Sequence, residues 1–185
     1  SDAEFIVNTI EKFNLKINIS SDNSGITPLH FAILTKNNAM IDYLIKNGAN
    51  IYAETNEGQT IMGLAIEQKS IDLVKRIVEQ HNYDIHHKNT KLESCLALAL
   101  KTGNLIIAEY LVSIGANVMD TNGFKQRTML HYAVMSNDWR VVFYVLSCGV
   151  SDKQRDSMQM LALHLAAKQG DIAIVELLSN QNPAI

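Results

Sequence analysis

Hydrophobic residues recur along this chain in pairs of short runs, each with the spacing of one face of a helix. In the clearest pair, the runs cover residues 29–33 and 40–45, and their apolar periodicity predicts two helices. Thr27 precedes the first helix as a side-chain cap, and Pro28 takes its first position, where the missing N–H costs nothing. Gly48 suits the left-handed residue after the second helix. The pattern predicts a unit of helix, tight turn, helix and loop.

This unit recurs at a nearly constant period. The capping position of the first helix is held in turn by Thr27, Thr60, Ser94 and Thr128, at intervals of 33, 34 and 34 residues. His131 and His164 are separated by a further 33 residues. A fixed period of this size is typical of solenoids, in which each unit contacts only its neighbours. We therefore expect a stacked repeat array.

Two motifs of the first unit resemble those of the ankyrin-repeat family. Thr-Pro-Leu-His-x-Ala occupies residues 27–32, and Gly-Ala-Asn occupies residues 48–50. The resemblance extends from about residue 22 to residue 179, with residues 5–19 similar to a degenerate first repeat. It implies an all-α solenoid of helix-turn-helix layers with projecting β-hairpin loops.

The repeat boundaries follow from the recurring motifs. A capping repeat is expected at the amino end, and the apolar spacing of Phe5, Ile6, Ile10 and Phe13 predicts one amphipathic helix that closes the stack. Five full repeats are expected after it. The predicted divisions are 1–21 for the cap and 22–54, 55–88, 89–121, 122–154 and 155–185 for the repeats.

Two repeats lack residues of the common motif. Gly63 and Ala97 replace the histidine of the first repeat, so we expect the second repeat to be looser than the others. Leu92 stands where the hairpin has its glycine, and this predicts a reshaped hairpin tip in the third repeat.

The last two repeats also differ from the first. Asn122-Gly123 is a strong signal for a two-residue type I′ turn. In the fifth repeat, Leu161-Ala162 replaces Thr-Pro, so its first helix is expected to begin further back, at Ser157.

Composition and charge restrict the classes of partner. Of 185 residues, 47% are hydrophobic and 19% are charged, which is ample for a continuous stacked core. The formal charge of −3 provides no basic field for a phosphate backbone, and no apolar run approaches the roughly 20 residues that span a bilayer. We expect neither a nucleic-acid partner nor membrane insertion. The ends of the chain predict a fragment of a longer protein.

Histidine and cysteine positions favour structural roles over chemistry. His30, His131 and His164 share one repeat position at helix starts, where we expect bonds to loop backbone. Adjacent His86 and His87 would point to opposite sides of a hairpin, which is poor geometry for one metal. The two cysteines, Cys95 and Cys148, are too far apart to be expected to bridge, and they favour a reducing, cytoplasmic location. We expect no catalytic residue, metal or cofactor.

The ankyrin resemblance implies that a protein or peptide binds along the concave side, where hairpin tips and first helices form a ladder. The resemblance assigns contact positions in each repeat, and the fifth repeat fits least well because its cap differs. The resulting residues are Asn23, Ser24, Ile26, Leu34, Thr35, Asn56, Glu57, Gln59, Glu67, Gln68, Thr90, Lys91, Glu93, Lys101, Thr102, Lys125, Arg127, Met135, Ser136, Met158, Met160, Lys168 and Gln169.

Some apolar side chains fall where the pattern leaves them in solvent. Leu34 and Met135 lie within the concave set, where polar residues are expected, and apolar residues flanked by polar ones are typical of contact patches. Trp139, Phe143 and Ile106 occupy outer positions of second helices and are candidate anchors for an adjacent domain or a dimer mate. Single exposed apolar residues also need no functional explanation, and that alternative stays open.

The sequence leaves two classes of function. The first is a protein-interaction module that grips a partner in its concave groove. The second is a regulatory or substrate-docking domain of a longer protein, since the resemblance extends to arrays fused to acyltransferases, kinases and channels and to secreted effectors. RNA binding is a weaker third alternative, which the charge disfavours.

Overall fold

Short α-helices in pairs make up most of the computed structural model, which describes residues 17–20 and 24–179. These residues divide into two compact units, one up to Asp84 and one from Ile85 onward. The all-α expectation is confirmed. The predicted closing helix and Asn23 lie outside the described residues.

The described residues of the first unit form two helix pairs. Its helices are α1 (Pro28–Leu34), α2 (Asn38–Lys46), α3 (Ile61–Glu67) and α4 (Ile71–His81). Helix α1 packs on α2 and on α3, and α3 packs on α4. Ile33, Ile41 and Ile66 are fully buried between them, and Ala32 at 3% exposure lets α1 and α2 approach closely.

Between Ile85 and Ser179, the second unit forms three helix pairs and a small hairpin. Its helices are α5 (Cys95–Lys101), α6 (Leu105–Ser113), α7 (Met129–Met135), α8 (Trp139–Ser147), α9 (Ala162–Gln169) and α10 (Ile172–Ser179). First helices pack on one another in the order α5, α7, α9, and each also packs on the second helix of its own pair. Strands β1 (Thr121–Asn122) and β2 (Arg127–Thr128) are antiparallel, with Asn122 opposite Arg127.

Three of the four predicted caps, Thr60, Ser94 and Thr128, accept an N–H at a helix start. Thr27 makes no such bond, and its hydroxyl lies 2.8 Å from Nδ1 of His30. Thr60 Oγ1 accepts the Gly63 N–H at 2.9 Å, and Ser94 Oγ accepts the Ala97 N–H at 3.3 Å. The second helices use asparagine in the same way, for example Asn37, whose Oδ1 accepts the Met40 N–H at 3.1 Å. These bonds satisfy N–H groups that a helix start leaves without partners.

Two fully buried histidines join neighbouring repeats. The Thr27 N–H donates to Nδ1 of His30 at 3.1 Å, so Nε2 carries the proton and donates to the Gln59 carbonyl of the next hairpin at 3.2 Å. His131 repeats the arrangement, with the Thr128 N–H at 3.2 Å and the Met160 carbonyl at 2.9 Å. The structural interpretation of these two histidines is confirmed.

In the third repeat, where Ala97 replaces the histidine, an asparagine takes over part of this role. The Ser94 N–H donates to Oδ1 of Asn122, in the next hairpin, at 2.8 Å. Asn122 is only 1% exposed. A hydrogen bond from one repeat to the next is therefore kept. The side chain that makes it belongs to the following repeat, whereas His30 and His131 belong to the preceding one. The sequence alone did not reveal this substitution.

The prediction of a type I′ turn at Asn122-Gly123 is wrong. Asn122 lies in β1, and the four residues 123–126 connect the strands. The reason is the burial of the Asn122 side chain, which its bond to the preceding repeat requires. Gly123 begins the connection with φ +72°, and a Cβ there would lie 2.5 Å from the Tyr132 hydroxyl. Glycine is needed at this position.

The prediction of a reshaped tip at Leu92 is also wrong. Leu92 adopts φ +59°, close to the +76° of Gly58 at the same position of the second repeat. The Leu92 N–H donates to the Asn89 carbonyl at 2.7 Å, as Gly58 N–H does to Thr55 at 2.8 Å. Asn89 Oδ1 also accepts the Glu93 N–H at 2.9 Å. These bonds hold the turn although leucine is strained there.

The fifth repeat does not begin its helix at Ser157. Helix α9 starts at Ala162, because the residues before it form a hairpin in which the Asp156 N–H donates to the Met160 carbonyl at 2.9 Å. Nδ1 of His164 accepts the Leu161 N–H at 2.9 Å. The histidine thus marks the helix start even without Thr-Pro.

We expect the buried histidines to make stability depend on pH. Burial lowers the pKa of His30 and of His131 below the ordinary 6.5. Below pH 6.5 the unfolded chain therefore binds protons that the folded chain does not. The contribution of the two neutral histidines to the free energy of unfolding is fully present above pH 6.5 and is lost as the pH falls toward their pKa values in the folded state. The denaturant concentration at the unfolding midpoint should therefore decrease as the pH is lowered from about 7 to about 5.5.

The double variant His30→Gln plus His131→Gln should be less stable at neutral pH and should show a flatter midpoint over the same range. His164→Gln, at an exposed position, is the matched control and should keep the slope of the wild type. A double variant with the wild-type slope would contradict the assignment.

Leu92→Gly is expected to stabilise the protein. A non-glycine residue in the left-handed region costs about 1–2 kcal/mol, and the Leu92 side chain is 42% exposed, so little burial is lost. The free energy of unfolding should rise by about 1 kcal/mol, measured by urea denaturation. Leu92→Ala keeps the strained φ and should show no gain. An equal gain in both variants would show that the left-handed backbone at Leu92 is not the source of the effect.

Candidate functional site

The predicted contact positions pair with one another within three repeats. In each pair, the residue before the helix cap contacts the last residue of the same first helix. Gln59 Nε2 donates to Glu67 Oε2 at 3.3 Å, Lys101 Nζ lies 3.1 Å from Glu93 Oε1, and Arg127 Nη1 lies 3.5 Å from Met135 Sδ. Each hairpin base is thus tied to the helix beside it, and these pairs form the floor of the predicted surface within each unit.

Several predicted hydroxyl and amide groups are used by the fold itself. Thr35, Thr102 and Ser136 donate their hydroxyls to helix carbonyls at 2.9, 2.9 and 2.6 Å. Gln68 Nε2 donates to the Ile33 carbonyl at 3.0 Å, across to the preceding repeat. These side chains stabilise first-helix ends, which the transferred positions did not indicate.

In the first unit, the predicted surface is partly apolar. Leu34 is 46% exposed, and Phe31, which the sequence reasoning missed, is 52% exposed. Phe31 lines a groove of about 470 Å³ together with Ile26 and Thr35. The sequence could have indicated that Phe31 is exposed, because it directly follows the buried His30 and therefore lies on a different side of α1.

The remaining predicted residues of the first unit are polar. Asn56 and Glu57 are exposed at a hairpin tip, and Glu67 is exposed at the end of α3. The Asn56 N–H donates to the Ser24 carbonyl at 2.9 Å, which fixes one hairpin against the next. Gly25 has no room for a Cβ, which would lie 2.8 Å from the Asn56 nitrogen.

In the second unit, backbone bonds join three hairpins. The Gly123 N–H donates to the Leu92 carbonyl at 2.7 Å, and the Ser157 N–H donates to the Lys125 carbonyl at 2.8 Å. The hairpin tips of the third, fourth and fifth repeats therefore lie side by side. Lys91 and Lys125 are exposed on this row.

The same row carries exposed apolar side chains. Phe124 is 72% exposed, Met158 is 59% exposed and Leu92 is 42% exposed. Only Met158 was predicted as a contact residue. The sequence placed Phe124 and Leu92 in hairpins, but it did not show that they extend from the tips into solvent.

The predicted positions of the two units differ in charge. In the first unit they include two acidic residues, Glu57 and Glu67, and no basic one. In the second unit Glu93 is the one acidic member, and the basic members are Lys91, Lys101, Lys125, Arg127 and Lys168. The second unit thus presents its basic side chains on hairpins and first helices.

Two carboxylates of the second unit contact members of this basic set. Glu93 pairs with Lys101, and Asp156, only 3% exposed, lies 3.7 Å from Arg127 Nε. Burial by itself would raise the pKa of Asp156, but N–H bonds from Met160 and Met158, with the nearby His131 and Arg127, lower its pKa below the ordinary value. Asp156 therefore stays ionised and accepts the N–H bonds that hold the fifth hairpin.

Two groups of apolar residues differ in their exposure. Met135 is half-buried against Arg127, so the expectation of an exposed Met135 is wrong. On the outer helices, Ile106, Trp139 and Phe143 are 66%, 55% and 54% exposed, as predicted. Their role as anchors stays a prediction. The remaining predicted residues, Thr90, Lys168 and Gln169, are exposed and Met160 is half-buried.

Within residues 17–20 and 24–179, no three His, Cys, Asp or Glu side chains converge as metal ligands would. Over the same ranges, no helix has the length and apolar character needed to cross a bilayer. Cys95 is buried, Cys148 is half-buried, and both are free thiols.

Known proteins resemble this chain over most of its length. A family model described as ankyrin repeats (3 copies) matches residues 3–89, 62–156 and 96–185. An ankyrin repeat protein of fowlpox virus (strain NVSL) is 31% identical over 133 residues, which is 71% of this chain and 90% of the viral protein.

Two other similar proteins are much longer. Rabankyrin-5 of Mus musculus is 26% identical over 153 residues, or 82% of this chain and 13% of that protein. Palmitoyltransferase ZDHHC17 of Danio rerio is 27% identical over 161 residues, or 84% of this chain and 25% of that protein. The chain therefore spans only a small part of these two relatives.

Removal of the Asp156 carboxylate is expected to destabilise the second unit. Asp156→Ala would leave the Met158 and Met160 N–H groups without their present acceptor and would leave Arg127 without its carboxylate. We expect a loss of roughly 1–3 kcal/mol in the free energy of unfolding.

Asp156→Asn is the matched variant, because it keeps an oxygen acceptor and removes the charge. It should lose less stability than Asp156→Ala in the same urea titration. Equal losses would show that the ion pair with Arg127, and not the backbone bonds, is the main contribution.

Proposed function

The chain belongs to the ankyrin-repeat family, whose repeats are protein-interaction modules, and from this premise we propose that it binds a partner protein or peptide through its hairpins and first helices. The partner is expected to contact residues of the concave set. The ankyrin fold is a non-catalytic interaction module, and the proposal contains no chemical step.

The observation that carries this proposal is the connection between adjacent hairpins of the second unit. Bonds of 2.7 Å and 2.8 Å hold three tips at fixed distances from one another. A surface that is ordered before binding loses less conformational entropy when a partner binds. Exposed Phe124 and Met158 on these tips provide apolar area of the kind that interfaces bury.

The first unit supports the same proposal with different chemistry. Its hairpin and first-helix surface offers Phe31 and Leu34 as exposed apolar side chains. Glu57 and Glu67 are exposed in the following repeat. A partner that binds both units would need a different chemical character for each.

A second candidate function is that the repeats serve as a regulatory or docking domain of a longer protein. The coverage of the longer relatives favours it, since this chain corresponds to 13% of rabankyrin-5 and 25% of the palmitoyltransferase. The complete reading frame tests this alternative. A frame that encodes no further domain would exclude it.

We expect charge insertion on the concave surface to weaken partner binding. Partners are first identified by affinity capture and mass spectrometry, and one purified partner is then titrated by calorimetry. Leu34→Glu plus Met135→Glu should raise the dissociation constant by about 10-fold or more, since central interface residues contribute over about 1 kcal/mol each.

Ile114→Glu plus Ile172→Glu is the matched control, because it introduces the same two charges at exposed apolar positions outside the contact set and the candidate anchors. It should leave the dissociation constant unchanged. Circular dichroism verifies that all variants are folded. If the concave double variant bound like the wild type, the proposed surface would be wrong.

A further inference from the structure

The hairpin tips of the second unit combine apolar and basic side chains in one row. We name this row the tip ladder and define it by Lys91, Leu92, Phe124, Lys125 and Met158. Its three apolar members are between 42% and 72% exposed, and Phe124 is the most exposed of them. Side chains of this size are seldom so exposed without a reason when they lie together.

The tip ladder is held in place by backbone contacts. The carbonyl groups of Leu92 and Lys125, two of its members, accept the bonds from the next hairpin, at 2.7 and 2.8 Å. The N–H groups that donate belong to Gly123 and Ser157, which directly precede Phe124 and Met158 in sequence. The three apolar residues therefore lie on adjacent tips, although they come from three repeats.

The lysines of the tip ladder have no carboxylate partner among the described residues. The acidic side chains nearest to them in sequence are engaged elsewhere: Glu93 pairs with Lys101 at 3.1 Å, and Asp120 Oδ1 accepts a bond from Asn117 Nδ2 at 2.8 Å. Asp156, in the next hairpin, contacts Arg127 and accepts N–H bonds within its own hairpin. Two exposed lysines therefore belong to the apolar row, and neither forms an ion pair with a described carboxylate. Such an arrangement is complementary to carboxylates spaced along an apolar segment.

We propose that the tip ladder binds an acidic segment of the partner protein, with apolar side chains on Leu92, Phe124 and Met158 and carboxylates opposite Lys91 and Lys125. This inference rests on the proposed function and specifies the chemistry of the partner. The apolar contacts provide affinity, and the charges select acidic over basic sequences.

The charge distribution favours a protein over a nucleic acid. Residues 85–179 contain nine Lys or Arg and eight Asp or Glu, so the second unit has almost no net charge. Nucleic-acid binding without sequence preference depends on several cations that each neutralise a phosphate. The tip ladder offers two lysines, which is enough for a short acidic peptide.

The test uses an array of about 15-residue peptides in which the numbers of acidic and of apolar residues vary independently, with basic counterparts of equal apolar content. Wild-type chain should be retained by peptides that are both acidic and apolar. Lys91→Glu plus Lys125→Glu should reduce retention on those peptides by about 10-fold and shift it toward the basic counterparts.

Two matched controls accompany the charge reversal. Lys46→Glu plus Lys69→Glu changes the net charge equally at exposed positions of the first unit, and it should retain the wild-type preference. Phe124→Ser should reduce retention without a change in charge preference. The substituted positions are exposed, and circular dichroism checks that each variant is folded.

Three results would overturn the inference. They are equal retention of acidic and basic peptides, wild-type preference in the Lys91→Glu plus Lys125→Glu variant, and stronger binding of a single-stranded oligonucleotide that the same variant abolishes. If that variant bound the captured partner normally while Leu34→Glu plus Met135→Glu did not, the proposed function would stand and this inference would fail.

Discussion

The fold depends on how the buried backbone at the start of each first helix is satisfied. The N–H of the capping residue lies below the surface, and an unpaired buried donor would cost roughly 1–3 kcal/mol. His30 and His131 accept this N–H and use the other ring nitrogen to reach the next hairpin. In the third repeat, the N–H of the capping residue Ser94 donates to Asn122, which belongs to the following hairpin. A local requirement of one helix thus becomes a bond between repeats.

Hydrogen bonds between neighbouring repeats also explain why the hairpins form an ordered surface. A two-stranded hairpin alone is only marginally stable in water. Here each described hairpin tip in the second unit is tied to the next through the backbone, as at Gly123 and Leu92. The strained turn at Leu92 persists because Asn89 bonds to both sides of it. The surface can therefore change its side chains from repeat to repeat while its backbone stays the same.

The side chains on this backbone divide into two kinds. Those at hairpin bases and helix ends contact one another, as Lys101 does with Glu93 and Arg127 with Met135, and they contribute to the fold as well as to the surface. Those at the tips, such as Phe124 and Lys125, extend into solvent. Transferred contact positions mix the two kinds, because a repeat pattern records position along the chain and not the state of a side chain.

The sequence by itself determined the features that arise within one repeat. The 33- and 34-residue spacing located the helix pairs, and Thr60 and Ser94 were identified as caps because a cap bonds only a few residues away. Only the tertiary structure decided what depends on the neighbouring repeat. It placed Asn122 in a strand with a buried side chain, kept Leu92 in the glycine conformation, and brought Phe124 and Met158 onto one row. The physical reason is that stacking, and not local propensity, sets the partners of these residues.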